Sequence, residues 1–161
     1  MRYEVLPTRE ELVSHSRLVP EIEPSAVLAM LSILNSSAEI RAAVTEVLER
    51  DYKLSEGKLC VLIVMHQHPE GVAPSELARH AGVTRATISV MLQRLVRDGL
   101  AAAVADQEDG RGKLVRLTTQ GLAFMQEILP RHYLRISKLM GRLSEAEQDV
   151  LIRLLKKVAS H

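Results

Sequence analysis

PSELARHAGVTRATISVMLQRLVRDG, residues 74–99, is punctuated as two helices around a tight turn. Ser75 stands at the N-cap of a short helix that reaches His80. Ala81-Gly82-Val83 follows as a three-residue turn, in which Gly82 takes a left-handed conformation at little cost. Thr84 caps the next helix, and Val83 with Ile88 has the N′ to N4 spacing of a hydrophobic staple. That helix runs to Asp98, with Gly99 where a C-terminal glycine belongs. A short helix, a glycine turn and a longer capped helix make a helix-turn-helix.

Downstream, about Ala101 to Ala105 and Leu114 to Leu117 are two short extended stretches separated by Asp106-Gln107-Glu108-Asp109-Gly110-Arg111-Gly112-Lys113. A polar, glycine-rich segment between two strands reads as a hairpin with a long tip, the wing of a winged helix. Its first strand is poor in β-propensity, because four of its five residues are alanine. Upstream, Ser55 caps a helix whose apolar run, Leu59 to Met65, is broad enough to be buried on most sides. His68-Pro69-Glu70-Gly71 ends that helix with turn chemistry.

The flanks are helical as well. Thr8-Arg9-Glu10-Glu11 is a capping box before a short helix, and Ile22 to Asp51 carries apolar residues at helical spacing, with a bend allowed at Asn35-Ser36-Ser37. Thr118-Thr119 opens another helix, which Pro130 should kink or break. Ser144-Glu145-Ala146-Glu147 is a capping box for the last helix, whose stripe is Val150, Leu151, Leu154, Leu155 and Val158. The expected fold is mainly α with a small β-hairpin wing, a winged helix-turn-helix flanked by N- and C-terminal dimerisation helices. It forms a single domain over 1–161, with about 55–118 as the winged helix-turn-helix and about 8–54 and 119–161 as dimerisation helices. Apolar stripes of that length around a small lobe need a covering surface, and a second copy across a two-fold axis supplies one.

Bulk composition agrees. The chain has 161 residues, 47% hydrophobic and 25% charged, with aromatics at only 2%, so aliphatic side chains must supply the core. The run Leu59 to Met65 is far too short to span a bilayer, and the charged start lacks the apolar region of a signal peptide. One cysteine excludes an internal disulfide framework, and a cytoplasmic protein with no membrane contact is expected. Net charge is +1, but residues 1–51 hold five basic and nine acidic groups whereas 74–118 hold seven and five. This asymmetry permits a nucleic-acid face without demanding one.

On a helical wheel of residues 84–98, Ile88, Met91, Leu92 and Leu95 face inward. Ala86, Ser89, Val90, Gln93 and Arg97 face outward, flanked by Arg85 and Arg94, with no acid before Asp98. An α-helix fits the major groove of duplex DNA, where Arg85 and Gln93 have the donor pattern for guanine and adenine edges. Ala86, Thr87 and Val90 suit thymine methyls. The competing reading of this face is a solvated helix surface. At the hairpin tip, Arg111 and Lys113 are long cations able to reach a narrow minor groove, and Asp109 lies two residues before Arg111 where it can orient the guanidinium. An exposed ion pair is the plainer account. A helix-turn-helix directly followed by a basic hairpin points to double-stranded DNA as the partner.

From Ser75-Glu76-Leu77-Ala78 through Gly82-Val83-Thr84-Arg85-Ala86-Thr87-Ile88-Ser89 and Leu95-Val96-Arg97-Asp98-Gly99-Leu100 to Asp109-Gly110-Arg111-Gly112-Lys113-Leu114-Val115-Arg116-Leu117-Thr118-Thr119-Gln120-Gly121, the chain resembles the MarR (multiple antibiotic resistance regulator) family of transcription factors. The resemblance covers about Ser55 to Gly121. It implies a sequence-specific regulator, a repressor, acting as a homodimer with interlocked terminal helices on a pseudo-palindromic operator. Its half-sites would lie ~34–36 Å apart. It also implies Asp109 and Arg111 as a wing pair, with Arg111 in the minor groove. Ser75, Thr84, Arg85, Ala86, Thr87, Ser89, Val90, Gln93, Arg94, Asp109, Arg111 and Lys113 are the DNA-binding candidates. Two features depart from the family: Val90 stands where a basic residue is common, and Pro130 interrupts the dimer arm.

Members of that family often bind small aromatic or anionic compounds between arm and winged helix. Tyr52, Met65, Phe124 and Tyr133 are the candidates here for an effector site, with a plain core role as the alternative. Met30, Met91, Met125 and Met140 are likewise adaptable lining or core. Cys60, inside an apolar run, reads as a buried inert thiol rather than a redox sensor. His66 and His68 lack the neighbours of a metal site, and neither metal nor cofactor is expected. No nucleophile elbow, phosphate loop or paired catalytic carboxylates occur, so an enzyme is not expected. The alternative function is a winged-helix protein-interaction module without specific DNA binding.

Overall fold

The structure, a computed structural model, describes residues 6–105 and 113–160. The chain divides into two compact units, Met1–Lys53 and Leu54–His161.

The first unit holds α1 (Arg9–Leu18) and α2 (Pro24–Tyr52), packed on each other. Thr8 closes the capping box before α1: it accepts the Glu11 N–H at 3.2 Å, while its own N–H donates to Glu11 Oε2 at 2.7 Å. These hydrogen bonds hold the Glu11 carboxyl below the usual carboxylate range. Pro24 starts α2 at a position that needs no N–H donor, and the helix runs unbroken through Asn35, Ser36 and Ser37. Among the described residues α2 is the one helix long and apolar enough, by length and composition, to cross a membrane.

The second unit contains α3 (Glu56–Gln67), α4 (Pro74–Ala81), α5 (Arg85–Arg97), β1 (Ala101–Ala105), β2 (Lys113–Leu117), α6 (Thr119–Met140) and α7 (Glu145–Ala159). Ser55 caps α3 by accepting the Lys58 N–H, and Ser144 forms the capping box of α7. The core is aliphatic: Leu59, Leu62 and Met65 of α3 meet residues of α4, β2 and α6, and Leu77, Ile88, Leu95, Met125 and Ile128 are fully buried. Burying such a side chain stabilises by about 1.5–3 kcal/mol, which is what a core without large aromatics must rely on.

Four expectations are corrected. Ser75 is not the N-cap of α4; Ala73 is, and Pro74 occupies the first helical position. Proline's preset φ and missing N–H favour that slot, and the Ala73 carbonyl accepts from Glu76 and Leu77 at 3.0 and 3.1 Å. Pro130 does not break α6, which continues on both sides of it, anchored by buried Ile128 and His132. Cys60 is half-buried rather than buried, because a seven-residue apolar run wraps right round the helix and one face must look outward; its Sγ–H points to the His80 carbonyl at 3.7 Å. Lys113 is not at the hairpin tip but begins β2, paired with Ala105.

The alanine-rich β1 forms despite its composition because β2 supplies the ladder, from Ala101 opposite Leu117 to Ala105 opposite Lys113. A further bridge joins Val72 to Val115 through two hydrogen bonds of 2.9 Å, tying β2 to the segment that enters α4. His68 caps α3 and pairs with Glu70 at 3.0 Å, and among the described residues no three metal-ligating side chains gather.

Candidate nucleic-acid interface

The turn between α4 and α5 is built as its glycine demands. Gly82 sits at φ 63°, and its N–H reaches the last carbonyls of α4 while the Val83 N–H donates to Ala78 at 3.0 Å. Thr84 then caps α5, its hydroxyl oxygen accepting the Thr87 N–H at 3.2 Å and lying 2.9 Å from Thr87 Oγ1. The two helices are thereby set at a fixed relation, with Leu77 and Ala78 of α4 buried alongside Ile88, Leu92 and Leu95 of α5.

What faces outward on α5 is Arg85, Ala86, Thr87, Ser89, Val90, Gln93, Arg94 and Arg97, all exposed. Val90 is 49% and Val96 45% exposed, so apolar side chains interrupt the polar face. Arg97 is held by Asp98 at 3.2 Å, whereas Arg85 and Arg94 pair with no carboxylate among the described residues.

A groove lies on each side of this helix. The larger, about 840 Å³, brings Ser75, Arg85, Ser89, Gln93 and Lys113 together over an apolar floor that includes Leu92 and Val115. The bridge between Val72 and Val115 is what makes this possible, since it sets β2 beside the start of α4. The smaller, about 420 Å³, is lined by Ala86, Thr87, Val90 and Arg94 together with Ser55 and Lys58 from the α3 end. Among the described residues no carboxylate lines either groove. Electrostatically, the outward face of α5 is a strip of donors and cations with apolar patches between them.

Lys58 escaped the sequence reading. The available signal was its place in the first turn of α3, where the helix dipole disfavours a cation, so that local stability does not account for it. Asp109 and Arg111, the expected wing pair, lie outside the described residues. Of the candidates for an effector site, Met65 is core, Phe124 is half-buried and Tyr133 exposed on α6, and Tyr52 ends α2 in the other unit.

The chain is similar to known transcriptional regulators. The MarR family profile matches residues 52–112. The HTH-type transcriptional repressor YetL of Bacillus subtilis (strain 168) is 30% identical over 159 residues, 96% of this chain and 93% of YetL. Among solved structures, the PcaV transcriptional regulator from Streptomyces coelicolor in complex with its natural ligand aligns with a TM-score of 0.66 at 26% identity, over 78% of this chain and 89% of PcaV. The S. aureus MepR–DNA complex aligns with a TM-score of 0.69 at 23% identity, over 81% of this chain and 94% of MepR, a likeness of fold.

Proposed function

Because the chain belongs to the MarR family of transcriptional regulators, a family of DNA-binding proteins rather than enzymes, we propose that it is a repressor that reads a pseudo-palindromic operator as a homodimer. The observation that carries this reading is the outward face of α5: Arg85 and Gln93 line one groove with Lys113, Arg94 lines the other, and among the described residues neither arginine pairs with a carboxylate and no acid lines either groove. A helix of ~10–12 Å diameter fits a major groove ~12 Å wide. In this proposal Arg85 and Gln93 read base edges, and Ala86, Thr87 and Val90 meet thymine methyls. Ser75, Ser89 and Lys113 hold the backbone, with Thr84 as the cap that orients the helix. Arg111, oriented by Asp109, enters the minor groove.

The homodimer is supported by apolar surface that each chain leaves uncovered. None of α7 is buried, and its Ile152, Leu154 and Val158 are about half exposed, as are Tyr133 and Leu134 of α6. On α2, Met30, Leu34 and Ile40 are exposed too. A bilayer is a poor cover for α2, since Glu39 and Arg41 would fall near its midplane, where charge is costly. A second copy of the chain covers these faces without that penalty, with the terminal helices as the dimer arm. The proposal includes release from DNA by a small aromatic or anionic effector near Phe124, Tyr133 or Tyr52, and action in the cytoplasm, where the operator is.

Fluorescence anisotropy of the full-length protein on duplex from its own upstream region, and on a scrambled duplex, at two salt concentrations tests the reading. Tighter binding to the native duplex with a steep loss as salt rises is expected. Binding to neither, with capture of a protein partner on the α5 face, would replace it with an interaction module.

A further inference from the structure

Two cations from different helices bracket one groove. Lys58 stands in the first turn of α3 and Arg94 on α5; with the hydroxyls of Ser55 and Thr87 they line the 420 Å³ groove on the α3 side of the exposed helix. Among the described residues neither cation pairs with a carboxylate and no carboxylate lines the groove. A Cβ on Gly57 would lie 3.4 Å from Met91 Cε, so the first turn of α3, which carries Lys58, comes close to α5 here. The helix dipole repels a cation at the Lys58 position, and an anion in the groove would offset that repulsion.

We propose that Lys58 and Arg94 hold a backbone phosphate of the DNA on the flank of the major groove that α5 enters. The inference rests on the DNA-binding reading above and adds to it a residue outside both the helix-turn-helix and the wing. Phosphates run along both walls of a groove occupied by a helix, and Lys113 already serves the opposite flank in that reading. Lysine suits the task as a compact charge, and the neighbouring hydroxyls supply further donors. A contact of this kind positions the protein and carries no sequence information.

The test is anisotropy titration of wild type, K58Q, K58R and R94Q on operator and scrambled duplexes, between about 50 and about 200 mM salt. Losing one phosphate contact flattens the plot of log affinity against log salt by about 0.9, hence by about 1.8 when both subunits lose it. K58Q is expected to show that change, with both duplexes weakened by the same factor, on the order of tenfold, and K58R is expected to restore the slope. R94Q, at an exposed position, should give the same signature without touching α3. An unchanged slope in K58Q or R94Q overturns the proposal, as does a loss confined to the operator. If K58Q does not fold, as judged by its melting curve, the R94Q slope decides alone. A wild-type protein with no salt dependence is a separate outcome and overturns the DNA-binding reading itself.

Discussion

The Thr118 hydroxyl donates to the Gly99 carbonyl oxygen at 2.6 Å, joining the start of α6 to the end of α5. The Thr118 hydroxyl oxygen in turn accepts the Gly121 N–H at 3.0 Å as the N-cap of α6, and the Thr118 N–H donates to the Leu100 carbonyl at 3.1 Å. Gly121 lies so close to the chain at Leu100 that a Cβ there would run into the Leu100 carbonyl oxygen. The start of α6 and the end of α5 therefore meet at a tightly packed corner.

Substitutions at this corner measure its stiffness. Thr118→Val should cost about 1–2 kcal/mol, from the lost cap and the orphaned Gly99 carbonyl, and Thr118→Ser should recover most of it. Gly121→Ala sets two effects against each other: about 1 kcal/mol gained in helix propensity against about 1–3 kcal/mol for the clash with backbone that cannot swing aside. The clash should win, so urea unfolding at constant protein concentration should find Gly121→Ala less stable than wild type. A more stable variant would mean the corner yields.

Stability should also fall on mild acidification. Burial, and next the charge of Arg135, lower the pKa of His132 from the ordinary 6.5. The unfolded chain then binds more protons than the folded one between the two values, so the neutral imidazole contributes full stability above pH 6.5 and loses it as pH drops to the folded value. Urea unfolding of wild type and His132→Leu across pH 7.5 to about 5 checks this. The histidine's share of the pH dependence should vanish in the variant, and parallel curves would rule it out.

Leu154→Glu places a charge in the centre of the α7 stripe, on a residue that is 53% exposed in the single chain. In a dimer it would bury that charge without a partner, costing several kcal/mol. Light scattering at micromolar concentration should show dimeric wild type and a monomeric variant. A monomeric wild type would sink the homodimer.

Within the proposed DNA interface, position and chemistry separate two roles. Arg85→Ala and Gln93→Ala should reduce the preference for operator over scrambled duplex by about 1–3 kcal/mol each, with non-specific affinity little changed. Arg111→Ala should weaken binding while leaving the melting temperature intact. Equal losses on all duplexes from Arg85 or Gln93 would remove the base-reading assignment.

Most of the helix punctuation was legible from residue order because caps and turns are local. Thr8, Ser55, Thr84 and Ser144 each satisfy an amide three residues on, and Gly82 adopts its left-handed geometry wherever the chain must turn. The inward positions Ile88, Leu92 and Leu95 likewise follow from the period of a helix. Ser75 shows where local rules compete: Pro74 and Ser75 both make good helix starts, and the proline's geometry wins.

By itself, then, the sequence determined which segments are helical, where most of them cap, which face of α5 is apolar and that a hairpin follows. Tertiary structure alone decided how those pieces share surfaces. It stabilised an alanine-rich strand through a partner and carried α6 through Pro130. It moved Lys113 from tip to ladder and set Lys58, from another helix, beside Arg94. The reason is range: capping and periodicity act over three or four residues, whereas pairing and grooves depend on contacts between segments far apart in the chain, which no local pattern records.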